Sequence, residues 1–104
     1  ARTQDVSQVK MIYSGLLGYM AVNDATFPDN LQQAVDGGHL EQRFLTLKNR
    51  KLHYIKGLDV ADGNKIILYT SPDKNGKAIF ARVDGSVRAI HHFELEELLA
   101  KQNK

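Results

Sequence analysis

The stretch Lys74–Ile90, KNGKAIFARVDGSVRAI, decides the fold because it sets one Asp84-Gly85 pair between two β-prone runs. Asp-Gly in this setting is a strong short-range signal for a β-hairpin, since Asp tolerates a positive φ and Gly adopts it freely. A two-residue type I′ loop would pair Arg82 with Val87 and Phe80 with Ala89. A three-residue bulged loop would shift that pairing, and the sequence leaves both loops open.

With the two-residue loop, the hairpin has two partly apolar faces. One face carries Ile79, Ala81, Val83 and Ile90; the other carries Phe80, Val87 and Ala89, with Arg82 near the turn. We expect one face to meet a long helix and the other to meet the last helix or a partner. Asp84 is interpreted as a turn residue rather than as an acid or base, because the turn already explains it.

Two helices are predicted before the sheet. Residues 3–24 form a long amphipathic helix, on which Gly15 and Gly18 suggest close packing against a neighbour. Its apolar positions recur at steps of three and four: Val6, Val9, Ile12, Tyr13, Leu16, Leu17 and Met20. Asn23-Asp24 ends that helix. A short helix follows over Asp29–Asp36, with Asp29 as its N-cap and Gly37-Gly38 as its stop.

The second half of the chain is β-rich. Residues 39–51 are interpreted as a loop with some local structure. Strands are predicted over 52–58, 65–70, 77–83 and 86–91, with turns at 61–64 and 71–76. A short helix over Glu94–Lys101 follows, and we expect the tail 102–104 to be frayed. This order predicts a single α+β domain over residues 1–104, with a long N-terminal helix packed on a small antiparallel sheet of about four strands.

Composition narrows the classes of function. The chain has 104 residues, 42% apolar and 25% charged, and its net charge of +2 is mild. Basic residues are scattered, and we interpret the local cluster of Lys48, Arg50 and Lys51 as part of a solvated surface. No nucleic-acid partner is therefore expected. There is no cysteine, which removes disulfides and thiol chemistry.

No catalytic constellation is found, so the protein is not expected to be an enzyme. The imidazoles His39, His53, His91 and His92 lack metal-ligand spacing, and His91 and His92 would point to opposite faces of a strand. Asp59, Asp62 and Asn64 lie within six residues and offer oxygen donors that suit Ca²⁺. They are interpreted first as turn residues, because the spacing and closing Glu of an EF-hand are missing.

The order of segments resembles a known family. The stretch VKMIYSGLLGYMAVNDATFPDNL, Val9–Leu31, resembles the helix and "FPD" segment of the soluble part of type II secretion pseudopilins, which are prepilin-like proteins. The matching positions include Phe27, Pro28 and Asp29. The segment AIFARVDGSVR resembles the hairpin of the branch with an H-x9-DG motif, so Asp84 and Gly85 match. Lys74 stands where that motif has His.

The resemblance implies a pilin-like fold, in which residues 1–24 continue the N-terminal helix, and a structural function without catalysis. Such subunits pack through the N-terminal helix into a pilus-like filament, the pseudopilus, that serves protein export. They are anchored in the inner membrane by an apolar segment, here expected before Ala1, and the globular part faces the periplasm or the exterior. Some carry a structural Ca²⁺ in late loops, for which Asp59, Asp62, Asn64 and Asp73 are the candidates.

Two alternatives remain. The first is a membrane-anchored extracytoplasmic binding domain that shares the pilin-like fold but forms no filament. The second is a free cytosolic α+β domain that binds a ligand or nucleic acid. An upstream apolar stretch of about 20 residues, long enough to span a bilayer, is expected by the two anchored interpretations and not by the third.

Overall fold

The computed structural model describes residues 2–47 and 50–102. Helix α1 (Arg2–Ala21) is followed by the short helix α2 (Leu31–Asp36) and a 3₁₀ turn over Gln42–Leu45. Strands β1 (Leu52–Tyr54), β2 (Ile66–Thr70), β3 (Lys77–Arg82) and β4 (Val87–His91) precede the last helix, α3 (His92–Gln102). A second 3₁₀ turn, Val60–Asp62, lies between β1 and β2. The predicted α+β fold is confirmed.

The sheet is an antiparallel meander in the order β1-β2-β3-β4. Short connections permit such hairpins and exclude parallel crossovers. The α1 face of the sheet buries the larger core, in which Val9, Ile12 and Leu16 of α1 are fully buried. On the other face, Leu95 of α3 covers a smaller core that contains Ala78 and Phe80. The sheet is therefore covered by helices on both faces.

A β-bulge in β2 lets two adjacent residues pack into the same core. The register shifts between Ile66, opposite Arg82, and Leu68, opposite Ala81. Ile66 packs in the α3-side core, whereas Ile67 and Leu68 both pack in the α1-side core. A regular strand would send alternate residues to opposite faces, so the extra residue of a bulge is needed to place both on one side.

Several predicted boundaries were wrong. Helix α1 ends at Ala21, three residues before the predicted residue 24. Asp24 and Ala25 then take positive φ angles of 57° and 58°, so the chain leaves the helical conformation at the predicted Asn23-Asp24 stop. The first strand ends at Tyr54, short of the predicted residue 58. The tail was expected to fray from Gln102 onward, but Gln102 lies in α3 and bonds to β2. Residues 103 and 104 lie outside the described residues.

The cap of α2 is also corrected. Asn30, not Asp29, is the N-cap, and its side-chain oxygen accepts from the N–H of Gln33 at 2.9 Å. The Gln33 side chain in turn accepts from the N–H of Asp29 at 2.8 Å, so Asp29 contributes only its backbone. At the other end, Gly38 takes the left-handed conformation, φ 82°, that the sequence predicted for the stop.

Candidate functional site

Among the described residues, no element covers the outer face of α1. Its exposed positions recur at steps of three and four: Ser7, Lys10, Met11, Ser14, Leu17 and Ala21. Met11 is 48% exposed and Leu17 is 38% exposed, and Val22 just beyond the helix is 69% exposed. A helix that faces solvent on one side usually carries charged and polar residues there.

The charges on α1 set it apart from an ordinary surface helix. Between residues 6 and 21, Lys10 is the only charged residue. Helix α3, by contrast, exposes Glu94, Glu96 and Glu97 to solvent. Apart from Lys10, the outer face of α1 therefore offers apolar and small neutral side chains, against which another helix can pack with little burial of charge.

The inner face of α1 is held to the sheet by polar contacts as well as by packing. The Tyr13 hydroxyl donates to the carbonyl of Val83 at 2.5 Å, and the Gln8 amide donates to the carbonyl of Phe44 at 2.8 Å. Burial, and next the Asp84 charge, raise the pKa of Tyr13 above its ordinary value. The Tyr13 contact fastens the last hairpin to α1 beside its turn.

Gly15 confirms the predicted close packing on α1. An added Cβ there would lie 2.3 Å from Cδ2 of Leu40 and 2.8 Å from the carbonyl oxygen of His39. The chain after α2 thus crosses the helix in direct contact with its backbone. At Gly18 the nearest atom would be Nδ1 of His39 at 3.2 Å, which is tight but less severe.

The segment matched to "FPD" closes the end of the α1-side core. Phe27 is 5% exposed and packs in that core, and Pro28 is fully buried. The Tyr54 hydroxyl of β1 donates to the carbonyl of Pro28 at 2.5 Å. Burial, followed by the Asp29 charge, raises the pKa of Tyr54 strongly. Phe27 and Pro28 are structural residues, and Asp29 is exposed beside them.

The Asp84-Gly85 hairpin forms, and of the two loops that the sequence left open its loop is the bulged one, not the two-residue type I′ loop. Ala81 pairs with Val87 and Phe80 with Arg88, so the loop holds the extra residue of the bulged alternative. Gly85 alone takes a positive φ, 95°, while Asp84 does not. The Asp84 carboxylate accepts from the N–H of Ser86 at 2.9 Å. That bond is the main reason that the pKa of Asp84 is lowered.

The corrected register also changes the two faces of the hairpin. Val87 and Ala89 join Ile79, Ala81 and Val83 in the core beneath α1, and Ile90 joins Phe80 beneath α3. One face meets α1 and the other meets α3, as expected. Ile90, Val87 and Ala89 lie on the faces opposite to those expected for the two-residue loop, because the extra loop residue moves β4 by one position.

The side chain that sequence reasoning missed is Arg50. It was expected on a solvated basic surface, but it is 3% exposed. Its guanidinium lies 3.0 Å from a carboxylate oxygen of Asp73 and 3.4 Å from one of Asp5. It also donates to the hydroxyl of Thr70 at 3.4 Å. Arg50 thereby links α1 to the β2–β3 turn.

The four candidate calcium ligands do not form one group, because Asp73 lies apart from Asp59, Asp62 and Asn64. Asp62 precedes β2 and Asp73 follows it. The two carboxylates are therefore separated by the length of the strand, which rises about 3.3 Å per residue. Asp59 and Asp62 form a capping box around the second 3₁₀ turn, and Asp62 lies 3.5 Å from Nζ of Lys65. Asp73 accepts from the N–H of Lys77 and that of Asn75, and the Lys77 bond chiefly lowers its pKa. Asn64 lies at the surface before β2.

The four histidines contact neighbouring aromatic or imidazole rings. His53 stacks on Tyr69 with ring centroids 4.7 Å apart, and His39 meets Tyr19 edge-on. His91 and His92 were expected to point to opposite faces, but their rings stack at 4.7 Å, because β4 ends at His91 and α3 begins at His92. Within residues 2–47 and 50–102, no three His, Cys, Asp or Glu side chains are grouped to hold a metal.

Lys74 is exposed in the β2–β3 turn, at the position where the H-x9-DG motif has His. Its neighbour Asp73 makes the polar contacts that order this turn. Over the described residues, none of the helices is long and apolar enough to cross a membrane.

Comparisons with protein-family models, with curated proteins and with solved structures found no match to this chain. The pseudopilin resemblance therefore stays a hypothesis.

Proposed function

We propose that this domain is a non-enzymatic structural subunit of a pilus-like assembly, the pseudopilus of type II secretion, involved in protein export. The observation that carries the proposal is the outer face of α1, where Met11 and Leu17 are exposed and Lys10 is the only charge over residues 6–21. Subunits of such an assembly pack through this helix, and the face is suited to that contact.

The architecture supports the same proposal. A long N-terminal helix lies on an antiparallel sheet, and Phe27-Pro28 closes the core where the resembling family has its "FPD" segment. With the resemblance come an anchor in the inner membrane, formed by an apolar segment before Ala1, and a globular part on the periplasmic or extracellular side. These features are part of the proposal, and the coding sequence upstream of Ala1 tests them directly.

Cysteine cross-linking tests the contact itself. Residues 1–104 contain no cysteine, so Met11→Cys and Leu17→Cys, introduced singly into the full-length protein in membranes, are the only thiols in this domain. The full-length protein without either substitution gives the background. We expect oxidation to yield cross-linked dimers at either position. Glu97→Cys, on the exposed face of α3, is the matched control and should stay monomeric.

The alternative of an anchored binding domain without a filament predicts a different result. In that case no α1 position cross-links above the Glu97→Cys control, although the protein remains in the membrane fraction. A full-length protein that begins near Ala1 and fractionates as a soluble monomer would refute both anchored interpretations together.

A further inference from the structure

A basic cavity of about 230 Å³ lies between the end of α3 and the start of β2, away from α1. Lys65, Arg82 and Lys101 line it, together with the side chains of Asn64 and Gln102. Ile66 and Leu98 supply apolar walls. Three cationic side chains, one just before β2, one at the end of β3 and one in α3, therefore line the same concave surface.

The fold fixes how these elements meet. Ile66 and Arg82 are paired across β2 and β3, which sets Lys65 beside the end of β3. The Gln102 side chain accepts from the N–H of Ile66 at 2.6 Å and donates to its carbonyl at 2.9 Å. This pair of bonds mimics a neighbouring strand and holds the last turn of α3, with Lys101, against β2.

Of the three cations in this cavity, only Lys65 forms an ion pair within the described chain. Lys65 has a carboxylate oxygen of Asp62 at 3.5 Å, but within the described chain neither Arg82 nor Lys101 forms an ion pair. The guanidinium of Arg82 lies 5.3 Å from the ring centroid of Phe80, and its Nε is buried without a hydrogen-bond acceptor among the described residues. A buried donor of a charged group that lacks an acceptor is costly, so it calls for an explanation.

We propose that this cavity binds a phosphate-type dianion, such as the phosphate group of a phosphate monoester. The carboxylates of Asp62 and Asp84 offset part of the charge of these three cations, but Arg82 and Lys101 form no ion pair in the described chain and remain available to an oxyanion. Two such cations attract a group with a charge of about −1.5 to −2 at pH 7 more strongly than a monoanion. Arg82 suits an oxyanion because its planar fork donates to two oxygens at once. The volume is below the roughly 300–1,000 Å³ of pockets for drug-sized molecules, so a small ligand or a single group fits.

Titration of the isotope-labelled 104-residue chain with inorganic phosphate tests this site by amide chemical shifts, at constant ionic strength set by chloride. We expect saturable shifts at the amides of Lys65, Ile66, Arg82 and Lys101. Lys101→Gln should raise the Kd for phosphate at least about tenfold, equivalent to about 1.4 kcal/mol. Arg82→Gln should do the same, and the exposed position of Lys101 ensures that one of the two variants folds.

Lys10→Gln is the matched control, because it removes one exposed cation from the opposite layer of the domain. It should change the Kd less than twofold. Shifts that do not saturate, or an equal loss in Lys10→Gln, would show only general attraction to a basic surface and would overturn the proposal. Acetate binding as tightly as phosphate would also overturn it, because the site would then have no preference for a dianion.

Discussion

Replacing Arg50 with Met should destabilise the domain far more than removing an ordinary surface cation. Met keeps an unbranched side chain but deletes the guanidinium, which lies 3.0 Å from Asp73 and 3.4 Å from Asp5 and is only 3% exposed. Removing one partner of a buried ion pair costs about 3–5 kcal/mol, because the remaining charge is left unpaired. An exposed pair is worth only about 0–1 kcal/mol.

The carboxylates decide where in that range Arg50 falls. Asp5 is 19% exposed and Asp73 is 23% exposed, so water can reach both after the guanidinium is gone. Asp73 also keeps its bonds from the N–H groups of Asn75 and Lys77. We therefore expect Arg50→Met to lower the free energy of unfolding by about 3 kcal/mol, the lower end of that range. For a domain of this size that lowers Tm by about 12–24 °C.

Urea unfolding followed by circular dichroism measures this difference, with an unchanged m value as the sign that the native fold is kept. Lys51→Met is the matched control, because Lys51 is exposed next to Arg50, and it should change stability by less than about 0.5 kcal/mol. A loss below about 1 kcal/mol for Arg50→Met would refute the reasoning, since the contact would then behave as a surface ion pair.

Three further changes test contacts that hold the elements together. Tyr13→Phe should cost about 1 kcal/mol by leaving the Val83 carbonyl unpaired. Because the pKa of Tyr13 is raised from 10.0, its contribution is present below pH 10 and lost as the pH rises through the folded pKa, so the wild-type advantage in urea titrations should vanish at high pH. Gln102→Ala should cost about 1–3 kcal/mol and speed amide exchange at Ile66, whereas Gln32→Ala on exposed α2 should not. Gly15→Ala should lower Tm despite the better helix propensity of Ala, because the new Cβ would overlap Leu40; a rise in Tm would contradict that packing.

The fold class was predictable because local signals agreed with one another. Apolar periodicity marked α1, Gly37-Gly38 marked the stop of α2, and Asp84-Gly85 marked the last hairpin. The loop length of that hairpin was not predictable, since Asp-Gly is compatible with both two-residue and bulged loops. One residue of difference then reassigned Val87 and Ala89 to the other face of the sheet.

The buried polar contacts were not predictable for a different reason. Arg50 lies between two exposed-looking basic positions in the sequence, and its partners Asp5 and Asp73 are far away along the chain. Nothing local distinguishes it from Lys51. The same holds for Lys65, Arg82 and Lys101, whose convergence depends on the docking of α3 on β2 through Gln102. Long-range convergence of charges follows from the packing of elements, and local patterns do not encode it.

The polar contacts of α1 bear on why apolar residues are exposed on its outer face. Three polar side chains of α1 point toward the rest of the domain. Asp5 pairs with Arg50, and Gln8 donates to the carbonyls of Phe44 and Thr46. Tyr13 donates to the carbonyl of Val83 in the last hairpin. Packing of Val9, Ile12 and Leu16 completes the attachment. Met11 and Leu17 belong to neither buried core, so the domain's own folding does not account for them. Solubility alone would favour charged residues at such positions. Their apolar character therefore favours a contact outside this domain, and a neighbouring helix of the same kind meets that need with the fewest additional assumptions.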